Sequence, residues 1–309
     1  MKLKHYQKKM TQLQNPIPIT EIPLKQNISL FLKREDLIHP QISGNKYWKL
    51  FYNVKNYLEK NTKNPSIITF GGAFSNHISA VSFLGKEQNI KTLGIIRGEE
   101  LQNNFNENPT LKFASENGMD FHFVSREEYR DKENIQILFQ KKVPEALIIE
   151  EGGTNNLAVK GIQNMLGNQT KDFHYLCTAV GTGGTIAGIS KYCEDNQKVI
   201  GFKAVKDDSL EEKIVELSGK QNFTLLEATE KYGKITDENI RFINWFYQEY
   251  QIPLDPIYTG KMMMKIFELI ENKFFPKNSK ILAFHTGGLQ GIEGANQMLK
   301  KQNRTLINF

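Results

Sequence analysis

Lys46 and Lys49 stand three residues apart in the segment LFLKREDLIHPQISGNKYWKL, directly after Ser43, Gly44 and Asn45 and at the start of an amphipathic helical pattern. A helix start repels cations, because the macrodipole places positive charge there. A lysine at that point can bond an aldehyde ligand as an imine, while Lys49 and the helix end hold an anionic group of the same ligand. An exposed lysine on a polar loop would give the same pattern. In FGGAFSNHISA a strand end and a diglycine turn lead to Ser75, Asn76 and His77 at a second helix start. Ser75 is an N-cap by residue type. The same helix-start amides, with the Ser75 and Asn76 side chains, would also bind a carboxylate and a ring hydroxyl.

The stretch YLCTAVGTGGTIAGI runs an apolar strand into Gly181, Thr182, Gly183, Gly184 and Thr185 and then a helix. Successive backbone amides, two hydroxyls and a helix N-terminus make either a phosphate cradle or a packing turn. Ile186 stands where a dinucleotide fingerprint needs its third glycine, and the Lys-Ser/Thr ending of a P-loop is missing, so neither NAD nor ATP is favoured. If the cradle reading holds, a β-branched residue at Gly183 should cost ligand affinity more than fold stability. Two further segments, LDPIYTGKMMMKI and ILAFHTGGLQG, put Tyr258, Thr259, Lys261, His285 and Thr286 at loop ends before helices. Helix capping accounts for both threonines, and Met262 to Met264 read as core.

The elements that must position these residues follow a regular cadence. SIITF from Ser66, TLGIIRG, FHFVS and ALIIEEGG are short, rich in β-branched residues and bounded by Gly or polar residues, as buried strands are. Helical patterns lie between them near Asn76–Gln88, Asn106–Asn117 and Arg126–Lys142. A second set has strands at Tyr175–Val180, Val199–Val205 and Lys280–His285, and helices near Thr185–Asn196, Thr236–Tyr250, Lys261–Asn272 and Gly288–Lys300. Strand, helix, strand in this order implies parallel βαβ units, here two parallel-sheet domains of an α/β protein. Ligands of such sheets sit beyond the carboxyl ends of the strands, where the glycine loops fall. The cadence pauses at Glu151–Asn156, so the expected division gives 1–45 and 156–309 to a larger domain and 46–155 to a smaller inserted one.

Composition narrows the classes. The 309 residues are 39% hydrophobic, enough for a large core. The net charge of +6, from 40 basic and 34 acidic residues, is spread along the chain and reads as a solvated surface, not a nucleic-acid patch. No stretch reaches the roughly 20 apolar residues of a membrane span, and the basic run from Lys2 to Lys9 has no apolar core of a secretory signal. Two cysteines, Cys177 and Cys193, suit a reducing cytoplasm. The six histidines fall into no metal-ligand spacing, so no metal is expected.

In their order along the chain, SGNKYWKL, GGAFSNH, GTGGTIAG and DPIYTGK resemble the family of 1-aminocyclopropane-1-carboxylate deaminases and D-cysteine desulfhydrases, the likeness running from KREDL at Lys33 to HTGGLQG at His285. The resemblance implies a tryptophan-synthase-β-like fold, pyridoxal-phosphate fold type II, working as a homodimer on a small amino acid. It makes Lys46 the Schiff-base lysine for pyridoxal 5'-phosphate. Lys49 and Gly181, Thr182, Gly183, Gly184 and Thr185 become the phosphate site, and Asn76 the partner of the ring hydroxyl. Ser75 matches a substrate-binding serine, and Tyr258 and Tyr232 match paired active-site tyrosines. The cyclopropane deaminases resemble YEGK and HLGG where this chain has YTGK and HTGG. Thr259 and Thr286 therefore resemble the desulfhydrase side, with a neutral hydroxyl in place of a carboxylate at the pyridine nitrogen. That implies β-elimination, giving pyruvate, ammonia and, from D-cysteine, sulfide. Cyclopropane deamination is the second reading, and a non-catalytic cofactor- or amino-acid-binding protein a third of another class.

Overall fold

The computed structural model describes residues 16–60, 63–228 and 234–309. Among these, the strands in chain order are β1 (Ile19–Ile22), β2 (Ser29–Lys33), β3 (Ser66–Gly72), β4 (Lys91–Arg97), β5 (Met119–Val124), β6 (Leu147–Ile149), β7 (Tyr175–Val180), β8 (Lys198–Lys203), β9 (Phe223–Glu227) and β10 (Lys280–Phe284). The α-helices are α1 (Asn45–Leu58), α2 (Asn76–Gln88), α3 (Pro109–Glu116), α4 (Lys132–Lys142), α5 (Asn156–Ile162), α6 (Gly184–Tyr192), α7 (Leu210–Ser218), α8 (Asp237–Tyr250), α9 (Thr259–Glu271) and α10 (Gly291–Lys301). They build an α/β protein with two sheets, one in the order β1-β2-β10-β7-β8-β9 and one in the order β5-β4-β3-β6. All neighbours pair in parallel except β1 with β2.

Parallel sheets need both faces covered, and their strands carry that requirement in their sequences. Every residue of β7, YLCTAV, is buried, and Leu176 and Leu282 of the central pair have no exposed surface. Strands of the smaller sheet all fall within 66–149, and those of the larger within 19–33 and 175–284. The expected strands and helices recur with shifted ends. Asp131 caps α4 by accepting from Asn134 N at 3.3 Å, so the helix starts at Lys132 and not at Arg126, the intervening residues forming a short 3-10 turn. Only Leu147–Ile149 of ALIIEEGG is extended, because Gly152 and Gly153 turn the chain with φ of 70° and 69°. The strands β1, β2 and β9 and the helices α5 and α7 had no counterpart in the sequence pattern.

Two backbone contacts tie α1, which carries Lys46, to the rest. Gly161 of α5 lies against α1 so closely that a Cβ there would sit 2.0 Å from the Trp48 carbonyl oxygen. Gly44, just before α1, has φ of 64°, and its Cβ would fall 1.9 Å from the Thr286 carbonyl oxygen after β10. The loop before α1 is fixed from behind as well. Gly44 N donates to Glu35 O at 3.0 Å, and the buried Glu35 carboxylate takes bonds from Lys33 Nζ at 2.5 Å and Trp48 Nε1 at 2.7 Å. No helix among the described residues is long and apolar enough to cross a membrane.

The Gly44 contact can be isolated from its backbone conformation. Gly118 has a similar φ of 84° but nothing within 4 Å of its Cβ position. Gly118→Ala should cost about 1 kcal/mol of unfolding free energy and Gly44→Ala about 3 kcal/mol or more, measured by denaturant titration. Equal losses would show that the contact carries no weight.

Candidate active site

Lys46 is the second residue of α1, half-buried, with Nζ donating to Asn45 Oδ1 at 3.2 Å. Burial pushes its pKa down to about 8, against the opposing pull of the Asp255 carboxylate. A substantial part of the amine is therefore neutral near pH 7.5, the form that attacks an aldehyde. One turn on, Lys49 is 2% exposed and donates to Gly152 O at 3.2 Å and Thr154 Oγ1 at 3.1 Å. Burial holds its pKa well below the usual lysine range, and Lys46 adds to the effect. It has no carboxylate partner among the described residues.

The glycine loop closes around that ammonium. A Cβ at Gly184, the first residue of α6, would come 2.8 Å from Thr154 Oγ1 and 3.0 Å from Lys49 Nζ, and one at Gly152 would come 2.7 Å from Thr182 Oγ1. Thr154 and Thr182 hydroxyls bond each other at 2.5 Å, and Asn45 Nδ2 donates to Thr185 Oγ1 at 2.7 Å. An unpaired buried cation, hydroxyls from two loops and the N-terminus of a nine-residue helix with no acid in its first turn thus converge. This donor set, with glycines where a Cβ would fill the space, fits a phosphate. Thr154 was not singled out from the sequence, since it lies in the segment read only as a pause between domains.

Gly183 plays a different part. Its φ is 84°, and a Cβ would meet Ile214 at 3.0 Å and Leu210 at 3.3 Å, so a side chain there would press on α7. A valine there should therefore cost fold stability as well as any ligand affinity. Gly181 sits under Tyr258, whose ring carbon would be 3.2 Å from its Cβ. Tyr232, the other expected tyrosine, lies outside the described residues.

Ser75 caps α2, its Oγ accepting from His77 N at 3.2 Å and Ile78 N at 3.3 Å. Both bonds use lone pairs, and the hydroxyl proton has no acceptor among the described residues. Asn76 Oδ1 accepts from Gln290 Nε2 at 2.9 Å, and a Cβ at Gly288 would lie 2.9 Å from Asn76 Nδ2. His77 is buried beside the lysines. Thr69 Oγ1 gives its one proton to Ile149 O at 2.8 Å, so the 2.8 Å contact with His77 Nε2 needs the histidine as donor. Nδ1 is then the bare nitrogen, without a partner among the described residues, and burial with Lys46 and Lys49 nearby holds the ring neutral.

The two threonines part company. Thr259 is fully buried, its hydroxyl donating to Asp255 Oδ2 at 2.6 Å and accepting from Asp255 N at 2.9 Å. Its one proton is spent, so Thr259 as placed has none to offer a ring nitrogen, which corrects that part of the sequence expectation. Asp255 in turn accepts from Ile257 N, Tyr258 N and Thr259 N at 2.9, 2.8 and 2.7 Å, which fixes the turn that leads into α9. Thr286 is half-buried beyond β10, and its hydroxyl has no hydrogen-bond partner among the described residues. The intervening His285 is buried, bonded through Nε2 to Pro253 O at 2.7 Å and through Nδ1 to Gly287 N at 3.2 Å.

A depressed lysine beside a phosphate cradle, at the strand ends of two parallel sheets, defines an enzyme that holds an aldehyde-bearing phosphate cofactor. Comparison with known proteins names that class. Residues 10–287 match the family described as pyridoxal-phosphate dependent enzyme, and the chain belongs to it. Its cofactor is pyridoxal 5'-phosphate. Among its relatives, a bifunctional D-cysteine desulfhydrase/1-aminocyclopropane-1-carboxylate deaminase of Arabidopsis thaliana is 26% identical over 92% of this chain and 78% of that protein. A D-cysteine desulfhydrase of Klebsiella pneumoniae is 25% identical over 90% of this chain and 93% of its own. A solved structure described as an ACC deaminase homologue shares the fold with a TM-score of 0.77, covering 97% of this chain and 98% of that one at 23% identity.

The cradle has a direct test in Gly184→Ala, whose methyl would displace Thr154 and Lys49 without touching the core. Cofactor affinity should fall about tenfold or more, while the denaturation midpoint of the apoprotein stays near that of the parent. Unchanged cofactor affinity in a folded variant would remove Gly184 from the phosphate site.

Proposed function

We propose that this protein is a pyridoxal-phosphate-dependent lyase that eliminates the β-substituent of a small amino acid, with D-cysteine as substrate and sulfide, pyruvate and ammonia as products. The observation that carries the reading is the unspent hydroxyl of Thr286. The carboxylate that acts on Lys46, Asp255, has its four acceptor positions filled by three backbone amides and Thr259 Oγ1. A neutral donor, not an acid, is what these residues offer the pyridine nitrogen.

When bound, the cofactor supplies an electron sink for the pair left behind when a bond at the substrate α-carbon breaks. The protein's own groups divide the remaining work. Lys49, Thr154, Thr182, Thr185 and the α6 amides hold the phosphate. Asn76 meets the ring hydroxyl, and the proton of Ser75 Oγ reaches the substrate carboxylate. Lys46 Nζ, with its pKa near 8, would hold the cofactor aldehyde and, when released, would serve as the base for the α-proton. Tyr258, beside Gly181, and Tyr232 complete the expected set. A neutral donor weakens the sink, which a departing thiolate tolerates and the opening of a cyclopropane without an α-hydrogen does not. The names of the Arabidopsis and Klebsiella relatives support the substrate class, and 1-aminocyclopropane-1-carboxylate deamination is the second reading that the first of them favours. A non-catalytic binding role leaves the depressed Lys46 without a purpose. The homodimer, the cytoplasmic setting and the division into 1–45 with 156–309 and 46–155 belong to the same proposal.

Parallel assays decide between substrates. The protein should release sulfide and pyruvate from D-cysteine and form little 2-oxobutanoate from the cyclopropane acid. Thr286→Val, which keeps shape and removes the donor, should lower kcat for elimination by about tenfold or more with the cofactor still bound. Robust 2-oxobutanoate formation by the parent protein would overturn the substrate, and an unchanged kcat in Thr286→Val would remove the residue from the ring.

A further inference from the structure

A cavity of about 650 Å³ opens at the carboxyl ends of β3, β4 and β5, and none of the site residues described above lines it. Four cations, Arg97, Arg126, Arg130 and Lys132, face it against the single carboxylate of Glu100. Two of the four are neutralised locally, Arg126 by Glu100 at 2.7 Å and Lys132 by Glu151 at 2.6 Å. Arg97 and Arg130 are exposed and have no ion-pair partner among the described residues. The Tyr129 ring forms the base of the cluster, with the Arg97 guanidinium 5.5 Å and the Lys132 ammonium 4.9 Å from its centre. Its own hydroxyl is buried beside the Glu151 carboxylate, and burial with that charge holds its pKa above the usual tyrosine range. Phe74, 56% exposed, and Leu101 add apolar wall.

We infer that this cavity is a second ligand site, separate from the cofactor cradle, for a small organic polyanion held through carboxylate or phosphate groups by Arg97 and Arg130. Several considerations lead there. The volume lies in the range of small-molecule sites. Guanidinium forks match carboxylate and phosphate oxygens two at a time, and Arg97, over the Tyr129 ring, and Arg130 leave that capacity unused. The apolar wall of Phe74, Leu101 and Tyr129 favours an organic anion over a bare inorganic one.

The cavity also has a mechanical route to the active site. Its wall includes Gly72, Ala73 and Phe74, the turn that ends β3 and delivers Ser75 to the start of α2. That turn is closed by Ser75 N donating to Gly72 O at 3.1 Å, and the Arg97 guanidinium lies 3.4 Å from where a Gly72 Cβ would be. An anion drawing Arg97 toward Arg130 moves a group packed on the turn, so occupancy of the cavity changes how Ser75 and Asn76 meet the substrate. The ligand acts by differential fit to two positions of that turn. The inference does not depend on which amino acid is the substrate.

The test uses the holoenzyme, whose phosphate site is filled, and two probes at matched ionic strength, citrate for a polycarboxylate and 3-phosphoglycerate for a phosphate source. Isothermal titration should show saturable one-to-one binding of at least one of them. That affinity should fall about tenfold for each of Arg97→Ala and Arg130→Ala, while both variants keep the parent's cofactor spectrum and Arg130→Ala keeps its basal turnover. The bound probe should change kcat or KM without competing for the substrate site. Absence of saturable binding by both probes, or affinity unchanged in both variants, overturns the inference. So does strict competition with substrate, which would make the cavity part of the substrate path.

Discussion

The active site depends on one backbone contact, Gly44 against the carbonyl of Thr286. Lys46 is useful only if α1 begins beside the end of β10, and the ends of two polypeptide segments can meet that closely only where one lacks a side chain. The left-handed φ of Gly44 and a Cβ position 1.9 Å from the Thr286 oxygen leave glycine as the one residue that fits. Gly287 repeats the device from the other side, its Cβ position lying 2.6 Å from Ser43 Oγ. Behind the contact, the buried Lys33–Glu35 pair and the Trp48 bond to Glu35 hold the loop in register. One partner lost from such a buried pair leaves an uncompensated charge, so KREDL works as a clamp on the site although it touches none of it.

The second governing feature is electrostatic. Lys46, Lys49 and His77 gather within reach of one another, with Asp255 the acid named nearby and already occupied in the turn before α9. Burial pushes all three toward neutrality, and repulsion by Lys46 adds to it at Lys49 and His77. A site of this kind is costly to form empty and favourable to fill with a dianionic phosphate, which offsets the burial of Lys49 and leaves Lys46 nucleophilic. Binding to the folded state alone then adds stability in proportion to cofactor concentration.

Much of this was legible in the sequence because parallel strands announce themselves. The strands β3 to β8 and β10 are short β-branched runs between turn residues, and the glycine loops that end them mark the cofactor side. The strands β1, β2 and β9 escaped because they lie at the first-sheet edge or, in β2, carry the buried Lys33, whose charge hides an otherwise alternating pattern. Thr154 escaped because the Gly152-Gly153 turn before it reads only as a pause between domains, and Asp255 because the motif it opens draws attention to its hydroxyls. Asp255 did leave a signal, since an acid four residues before Thr259 and followed by Pro256 is a helix-start pattern. Reading it would have separated Thr259, whose hydroxyl is bonded to Asp255, from Thr286, which the shared Thr-Gly motif could not. Gly183 and Gly184 look alike in sequence and differ only in which neighbour, α7 or Lys49, occupies the space beside them.

The central claim is that Lys46 is the residue to which the cofactor is bonded, made nucleophilic by burial. It is tested by adding pyridoxal 5'-phosphate to the apoprotein across a pH series, reducing each sample with borohydride after a fixed short time and mapping the labelled peptide. Deprotonated amine is the reacting form, so with a pKa of about 8 the yield of label on Lys46 should rise between pH 6.5 and 9 with a midpoint near 8. Label on another lysine, or none at any pH in a folded protein, would contradict the account.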